Sequence, residues 1–319
     1  MTDLLIFLLS LFIVILGAEW LLAASISSAR LLRLPEMVIG ATLVSLATTM
    51  PENLVSVFAS ASNHSSLALG NIVGSGLVNL GLILGITLLV GHKQEEARGG
   101  RGRRRSLGRR RSLILFALTL FIFLWLLIFG KINFYGGVIL VSLGLGFLIY
   151  TFWYALRESG ETLGVVEEKL EAHPRLILKF IIGAAFLVFG ARFLVESGVN
   201  LAKTFALSEI VIGITLVAVG TSLPELVTAL TALVSGHERV SWGNLTGATV
   251  LTLTFALGLA AIFGEIVVSP KILTTDFLPL VLFSGLILIL TLIPGLPKRF
   301  FGGILIFAYF FYLGLLFWK

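Results

Sequence analysis

The chain contains no cysteine, which removes disulfides, thiolate metal centres and thiol nucleophiles in one step. Histidine is nearly as scarce: His64, His92, His173 and His237 are the four present, and all fall in predicted loops. They read there as solvated loop residues, so no zinc site is expected. Charged side chains make up only 13 % of the chain. The apolar runs lack the alternation of about ten-residue membrane-barrel strands, which sets that architecture aside. With no intramembrane histidine, cysteine or evident nucleophile–base pair, an enzyme is not expected either.

What the chain has in abundance is apolar surface. Hydrophobic residues reach 57 % and the mean hydropathy is +1.05, against roughly 45–50 % apolar content in soluble domains. Apolar runs of about 20 residues recur along the whole length, so neither a signal peptide nor a single anchor accounts for them. The expected fold class is an all-α membrane protein with ten transmembrane helices, near 4–26, 36–61, 67–90, 112–130, 132–154, 174–200, 208–235, 242–265, 274–293 and 299–317.

The net charge of +6 is placed unevenly. With the N-terminus outside, the inner connections hold Arg30, Arg33, Lys93, Arg98, Arg101, Arg103, Arg104, Arg105, Arg109, Arg110, Arg111, Arg157, Lys169, Arg175, Lys179, Arg239, Lys298 and Arg299. The outer side keeps Lys131, Lys203, Lys271 and Lys319, and Arg192 falls inside a span. The positive-inside rule then predicts a multi-pass protein of a prokaryotic plasma membrane with both termini extracellular. The arginine run over 98–111 lies between two spans and lacks interleaved aromatics. It reads as a topology anchor touching anionic membrane lipid, and nucleic acid is not an expected partner.

One segment occurs twice. Glu36-Met-Val-Ile-Gly-Ala-Thr-Leu-Val-Ser-Leu-Ala-Thr-Thr-Met-Pro-Glu52 returns 173 positions later as Glu209-Ile-Val-Ile-Gly-Ile-Thr-Leu-Val-Ala-Val-Gly-Thr-Ser-Leu-Pro-Glu225. The same offset pairs Gly17 with Gly190, Gly70-Asn71 with Gly243-Asn244, Gly74 with Gly247, and Gly85 with Gly258. The predicted organisation is a first five-helix repeat over 1–154, a cytoplasmic linker over 155–173 and a second five-helix repeat over 174–319. Five spans are an odd number, so the second unit enters the membrane from the opposite face. Inverted repeats of this kind place substrate near the midplane, between broken helices.

The repeated motif carries chemistry that hydrocarbon does not tolerate idly. Pro51 and Pro224 lack an N–H, so each withdraws the hydrogen bond that the carbonyl of Ala47 or Gly220 would have received. A dehydrated cation is one candidate partner for such a carbonyl, and a simple kink is the plainer alternative. Glu52 and Glu225 each cost about 2.5–3.5 kcal/mol as bare charges at the centre of a span. Their counter-charge is either travelling ions or the one intramembrane base, Arg192. Asn71, Ser75 and Asn79 share a helix face at a spacing of four, with Asn244, Ala248 and Thr252 in the matching places. They are either interhelical glue or part of the same site. Counting donors gives two carboxylates, the hydroxyls of Thr48, Thr49, Ser75, Thr221, Ser222 and Thr252, and the Asn79 amide. Hard oxygens in such numbers suit calcium, and sodium as well.

Residues 40–52 with Gly70-Asn-Ile-Val-Gly-Ser-Gly-Leu-Val-Asn79, and residues 213–225 with Gly243-Asn-Leu-Thr-Gly, resemble the two alpha-repeats of the sodium/calcium exchangers, within the cation/calcium antiporter superfamily. The resemblance implies a prokaryotic-type member with ten helices in inverted halves. It implies Glu52 and Glu225 as the central carboxylates, with Thr48, Thr49, Ser75, Asn79, Thr221 and Ser222 as ligands, and backbone carbonyls at Ser45 and Ala218. Two places depart from the family: Ala248 stands where a serine is usual, and Thr252 where an acid or amide is usual. The expected function is sodium-for-calcium antiport by alternating access at a two-glutamate site, with a proton/calcium or other cation antiporter as the alternative. A passive cation channel is a further reading, from a different class. Calcium and sodium ions and lipid are the expected partners, a monomer the expected unit, and no cofactor is expected.

Overall fold

The computed structural model describes residues 2–31, 45–90, 104–159, 174–234, 238–293 and 296–318. The chain is almost wholly helical. In order come α1 (Thr2–Leu31), α2 (Ser45–Thr48), α3 (Met50–Ala61), α4 (Ser65–Val90), α5 (Arg104–Phe129) and α6 (Phe134–Ser159). Then follow α7 (Pro174–Thr204), α8 (Glu209–Thr221), α9 (Leu223–Val234), α10, α11 (Pro270–Leu292) and α12 (Lys298–Phe317). Helix α10 joins Glu238–Leu251, Thr252–Ala256 and Leu257–Phe263 without a gap. Among the described residues eight helices are long and apolar enough to cross a membrane, or nine if the bent pair α8–α9 is one span. The span expected over 36–61 begins in residues outside those described, and α2 and α3 are its described remainder. His92, His173 and His237, the arginines from Arg98 to Arg103 and most of the expected linker also lie outside them.

Burial is inverted relative to a soluble protein. Large apolar side chains such as Ile128, Phe307 and Trp318 face outward, while Glu52, Asn71, Ser75, Asn79, Thr221, Glu225 and Thr252 are buried. In hydrocarbon, polar groups are satisfied only inside the bundle. Helices α4 and α10 are its most enclosed members, and α1, α5, α6, α7 and α12 present most of their surface outward.

Without a hydrophobic force between helices, close approach depends on small residues. A Cβ added to Gly17 would stand 2.8 Å from the Gly183 carbonyl oxygen, which sets how tightly α1 lies on α7. Gly85 of α4 meets Gly302 of α12, and Gly258 of α10 meets Gly137 of α6, each within 3.1 Å of where a Cβ would sit. The packing is reciprocal: the end of α4 rests on α12, and the matching end of α10 rests on α6.

The motif prolines act as helix starters. Pro51 is the second residue of α3 and Pro224 the second of α9, where the missing N–H costs nothing because first-turn N–H groups have no intrahelical acceptor. The preceding residues adopt nearly the same bridge-region conformation, Thr49 at φ −82, ψ −1 and Ser222 at φ −84, ψ 6. The second break bends α8 against α9 by 43°.

Four further interruptions among the described residues are π-helical turns, at Val78–Ile83 in α4, Gly213–Val217 in α8, Thr252–Ala256 in α10 and Leu273–Phe277 in α11. Such turns are rare and concentrate at functional sites. The only described strands, β1 (Lys131–Ile132) and β2 (Ile266–Val267), pair antiparallel between the α5–α6 and α10–α11 connectors. The Val268 N–H extends the pairing by donating to the Gly130 carbonyl at 2.8 Å. Gly130 itself sits at φ +64, where a side chain would be strained.

Candidate functional site

The two helix breaks meet in the middle of the bundle. Helix α2 lies against α10 and α8 against α4. The π turn that carries Asn79 packs on α9, which carries Glu225, while the π turn that carries Thr252 packs on α3, which carries Glu52. Each acid-bearing helix therefore rests against the widened turn of α4 or α10 across the break.

Glu52 and Glu225 are completely buried. Ser222 Oγ donates to Glu52 Oε1 at 3.1 Å, joining the motif of one half to the acid of the other. Glu52 Oε2 and both carboxylate oxygens of Glu225 have no hydrogen-bond partner. The Thr48 hydroxyl stands beside Glu225 and donates to the Ser45 carbonyl at 3.3 Å. Thr49 donates to the same carbonyl at 3.1 Å and to that of Leu46 at 3.0 Å. Ser75 Oγ, both polar atoms of the Asn79 amide and Thr252 Oγ1 are buried without a partner. Leaving such groups unpaired away from water costs about 1–3 kcal/mol apiece, so this concentration marks a place built for something to bind.

The structure bears on four of these readings. Arg192 does not balance the buried acids: it is exposed and pairs with Glu196 one turn on, at 3.1 Å. The Gly220 carbonyl is not freed by Pro224, because a backbone N–H at the helix end donates to it. The Ser45 and Ala218 carbonyls likewise already accept, from Thr49 and Ser222 N–H groups at 3.2 and 3.0 Å. His64 is a loop residue but not simply solvated, since its Nδ1 lies 2.9 Å from Glu209 Oε1.

The four-residue stripe on α4 also divides. Ser75 and Asn79 remain unpartnered, whereas Asn71 is fully engaged: Nδ2 donates to Ser56 Oγ at 2.9 Å and to the Glu52 carbonyl at 3.3 Å, and Oδ1 accepts from Thr221 at 3.1 Å. In the matching place Asn244 Oδ1 accepts from Ser45 Oγ at 2.7 Å. Sequence reasoning did not single out Ser56, although a serine one turn after a buried glutamate was a usable signal. It also missed Asp276, a buried acid in α11 that accepts from the Tyr312 hydroxyl at 3.0 Å.

Chemically the arrangement is a cage of two carboxylates and neutral oxygens. Among the described residues no three His, Cys, Asp or Glu side chains converge. A low-dielectric interior does not hold two unbalanced carboxylates, because the effective penalty is several kcal/mol per ion. The donor set suits a hard cation with a flexible shell.

Known proteins resemble this chain along nearly its whole length. The family model described as sodium/calcium exchanger protein matches residues 2–153 and 175–318. The inner membrane protein YrbG of Escherichia coli is 30 % identical over 319 residues, covering 98 % of this chain and 95 % of that protein. The sodium/calcium exchanger MaX1 of Methanosarcina acetivorans is 29 % identical over 356 residues, covering 98 % of each. A solved structure of the sodium-calcium exchanger NCX_Mj, soaked with Na+ and Sr2+, shares the fold with a TM-score of 0.66 at 24 % identity, covering 98 % of each chain.

Proposed function

Because the chain belongs to the sodium/calcium exchanger family, we propose that it is a secondary antiporter in which sodium moving down its gradient drives calcium the other way. The ions share one site at membrane mid-depth, exposed to each face in turn. Glu52 and Glu225 are its central ligands. Thr48, Thr49, Ser75, Asn79, Thr221, Ser222 and Thr252 supply neutral oxygens, and the carbonyls of Ser45 and Ala218 complete the set. The observation that carries this reading is a pair of fully buried glutamates with three unpartnered carboxylate oxygens and, among the described residues, no basic side chain paired with them.

Ten spans in two inverted halves, over 1–154 and 174–319 and joined by the linker 155–173, complete the proposal. The repeat offset, the matched backbone at Thr49 and Ser222 and the crosswise seating of each acid-bearing helix on the other half's π turn support it. The basic residues favour both termini outside in a plasma membrane. Members of this family are transporters, not enzymes, and need no cofactor.

Proteoliposomes loaded with sodium and diluted into calcium should accumulate calcium, and Glu52→Gln or Glu225→Gln should stop the uptake. Unchanged uptake in both variants would defeat the site. Imposing the pH gradient alone tests protons as the counter-ion. Ala248 motivates that arm, since it removes a hydroxyl at the place matching Ser75.

A further inference from the structure

We propose that Asn71, and Asn244 in the matching place of the other half, are positioning residues that fix the direction of motif hydroxyls so that oxygen lone pairs face the ion. The inference rests on the cage described under the proposed function. Asn71 is fully buried on α4 and touches both halves. On one side stand Ser56 Oγ at 2.9 Å and the Glu52 carbonyl oxygen at 3.3 Å, both on α3. On the other stands Thr221 Oγ1 at 3.1 Å, at the end of α8.

The Glu52 carbonyl decides which way the amide lies. A carbonyl only accepts, so the side of Asn71 that faces it must be the NH2 group, and Oδ1 is left facing Thr221. An amide oxygen also only accepts, so Thr221 must donate. A threonine hydroxyl has one proton and two lone pairs. With its proton committed to Asn71, the Thr221 oxygen turns electron density, not hydrogen, towards the cage. The other available acceptor is the Ala218 carbonyl of the same helix, farther away at 3.4 Å. Without Asn71 the Thr221 proton is free to rotate towards the ion, where it repels a cation. In the matching place, 173 residues on, Asn244 Oδ1 accepts from Ser45 Oγ at 2.7 Å, while Asn244 Nδ2 has no partner among the described residues, so its assignment follows the pattern of Asn71.

The test is a double-mutant cycle read on the calcium concentration giving half-maximal uptake in proteoliposomes. Asn71→Ala and Thr221→Val should each raise it about tenfold, equivalent to about 1.4 kcal/mol, with maximal uptake changed less than about twofold in Asn71→Ala. The double variant should be no worse than Thr221→Val alone, because the proton that Asn71 holds is gone. Thr221→Ser keeps the hydroxyl and should restore full sensitivity to Asn71→Ala. Asn244→Ala with Ser45→Ala forms a second cycle, which decides the matter if an Asn71 variant does not fold. Additive losses in a cycle overturn the proposal, and so does a loss confined to maximal uptake. Glu52→Gln separates the two levels. If it still abolishes uptake while the cycles are additive, the cage stands and the positioning role falls; if uptake survives it, the cage falls and this inference goes with it.

Discussion

Glu52 and Glu225 hold matching places, yet the helices that carry them are fastened differently. Helix α3 continues from its acid with a buried polar stripe of Asn53, Ser56 and Ser60. At the same offset α9 has Leu226, Ala229 and Leu233. Ser60 Oγ donates to the Ala260 carbonyl at 2.7 Å and lies 3.2 Å from that of Gly264, while Ser65 reaches the Glu265 carbonyl at 3.0 Å. Gly264 permits the contact, since a Cβ there would fall 2.6 Å from the Ser60 oxygens. In α9 the Thr228 hydroxyl bonds only inside its own helix, to Pro224 at 2.7 Å. The repeat preserves the polar atoms at the break and lets the fastening beyond it diverge. Ligand geometry and helix anchorage are thus separate properties of the same half-helix.

If the two acids share one duty, Glu52→Gln and Glu225→Gln should each reduce sodium-driven calcium uptake more than about a hundredfold, because each removes a charge that neutral oxygens do not replace. A large inequality between them would break the equivalence that the comparison starts from.

The paired glycines Gly74 and Gly247 sharpen it next. A Cβ on Gly74 would stand 2.6 Å from Ala218 Cβ and 2.7 Å from the Ile214 backbone, whereas on Gly247 it would meet, among the described residues, only Ser45 Oγ at 3.6 Å. Gly74→Ala should therefore cost about 1–3 kcal/mol through overpacking. Gly247→Ala should be neutral or stabilising by up to about 1 kcal/mol, the helix-propensity difference. Thermal unfolding in detergent checks both.

Removing the α3 fastening is a smaller perturbation. Ser60→Ala should cost about 1 kcal/mol and speed hydrogen exchange at the end of α3 while leaving α9 unchanged. Equal acceleration in both helices would show that the anchorage is shared. Smallest of all, Arg192→Ala should leave uptake intact and change stability by less than about 0.5 kcal/mol, as for an exposed i,i+4 pair. A collapse of uptake would restore Arg192 as the acids' counter-charge.

Much of this was legible because hydrocarbon makes polar residues conspicuous. Glu52, Glu225 and the hydroxyls before them stand out of apolar runs, and the fixed offset pairs them without knowledge of the fold. The helix breaks were legible too, since a proline after two hydroxyls leaves the backbone few options. The partners were not. Asn71 and Thr221 are 150 positions apart and Ser60 and Ala260 are 200 apart, so their bonds depend on how helices approach, which local periodicity does not encode. The π turns were hidden for a related reason: Val78–Ile83 and Thr252–Ala256 read as ordinary helix until neighbouring elements widen them. Arg192 stayed open as a counter-charge because its depth in the span was readable and its outward direction was not.

The small clasp of β1 and β2 joins two distant connectors through main-chain bonds, with an exposed Lys131–Glu265 pair at 2.8 Å beside them. The main-chain part of the joint is indifferent to which side chains occupy it, provided the strands stay extended and the donating nitrogens are not proline. Duplicated halves can drift apart in composition at this rim and still remain stitched together, so the seam endures where resemblance between the copies fades.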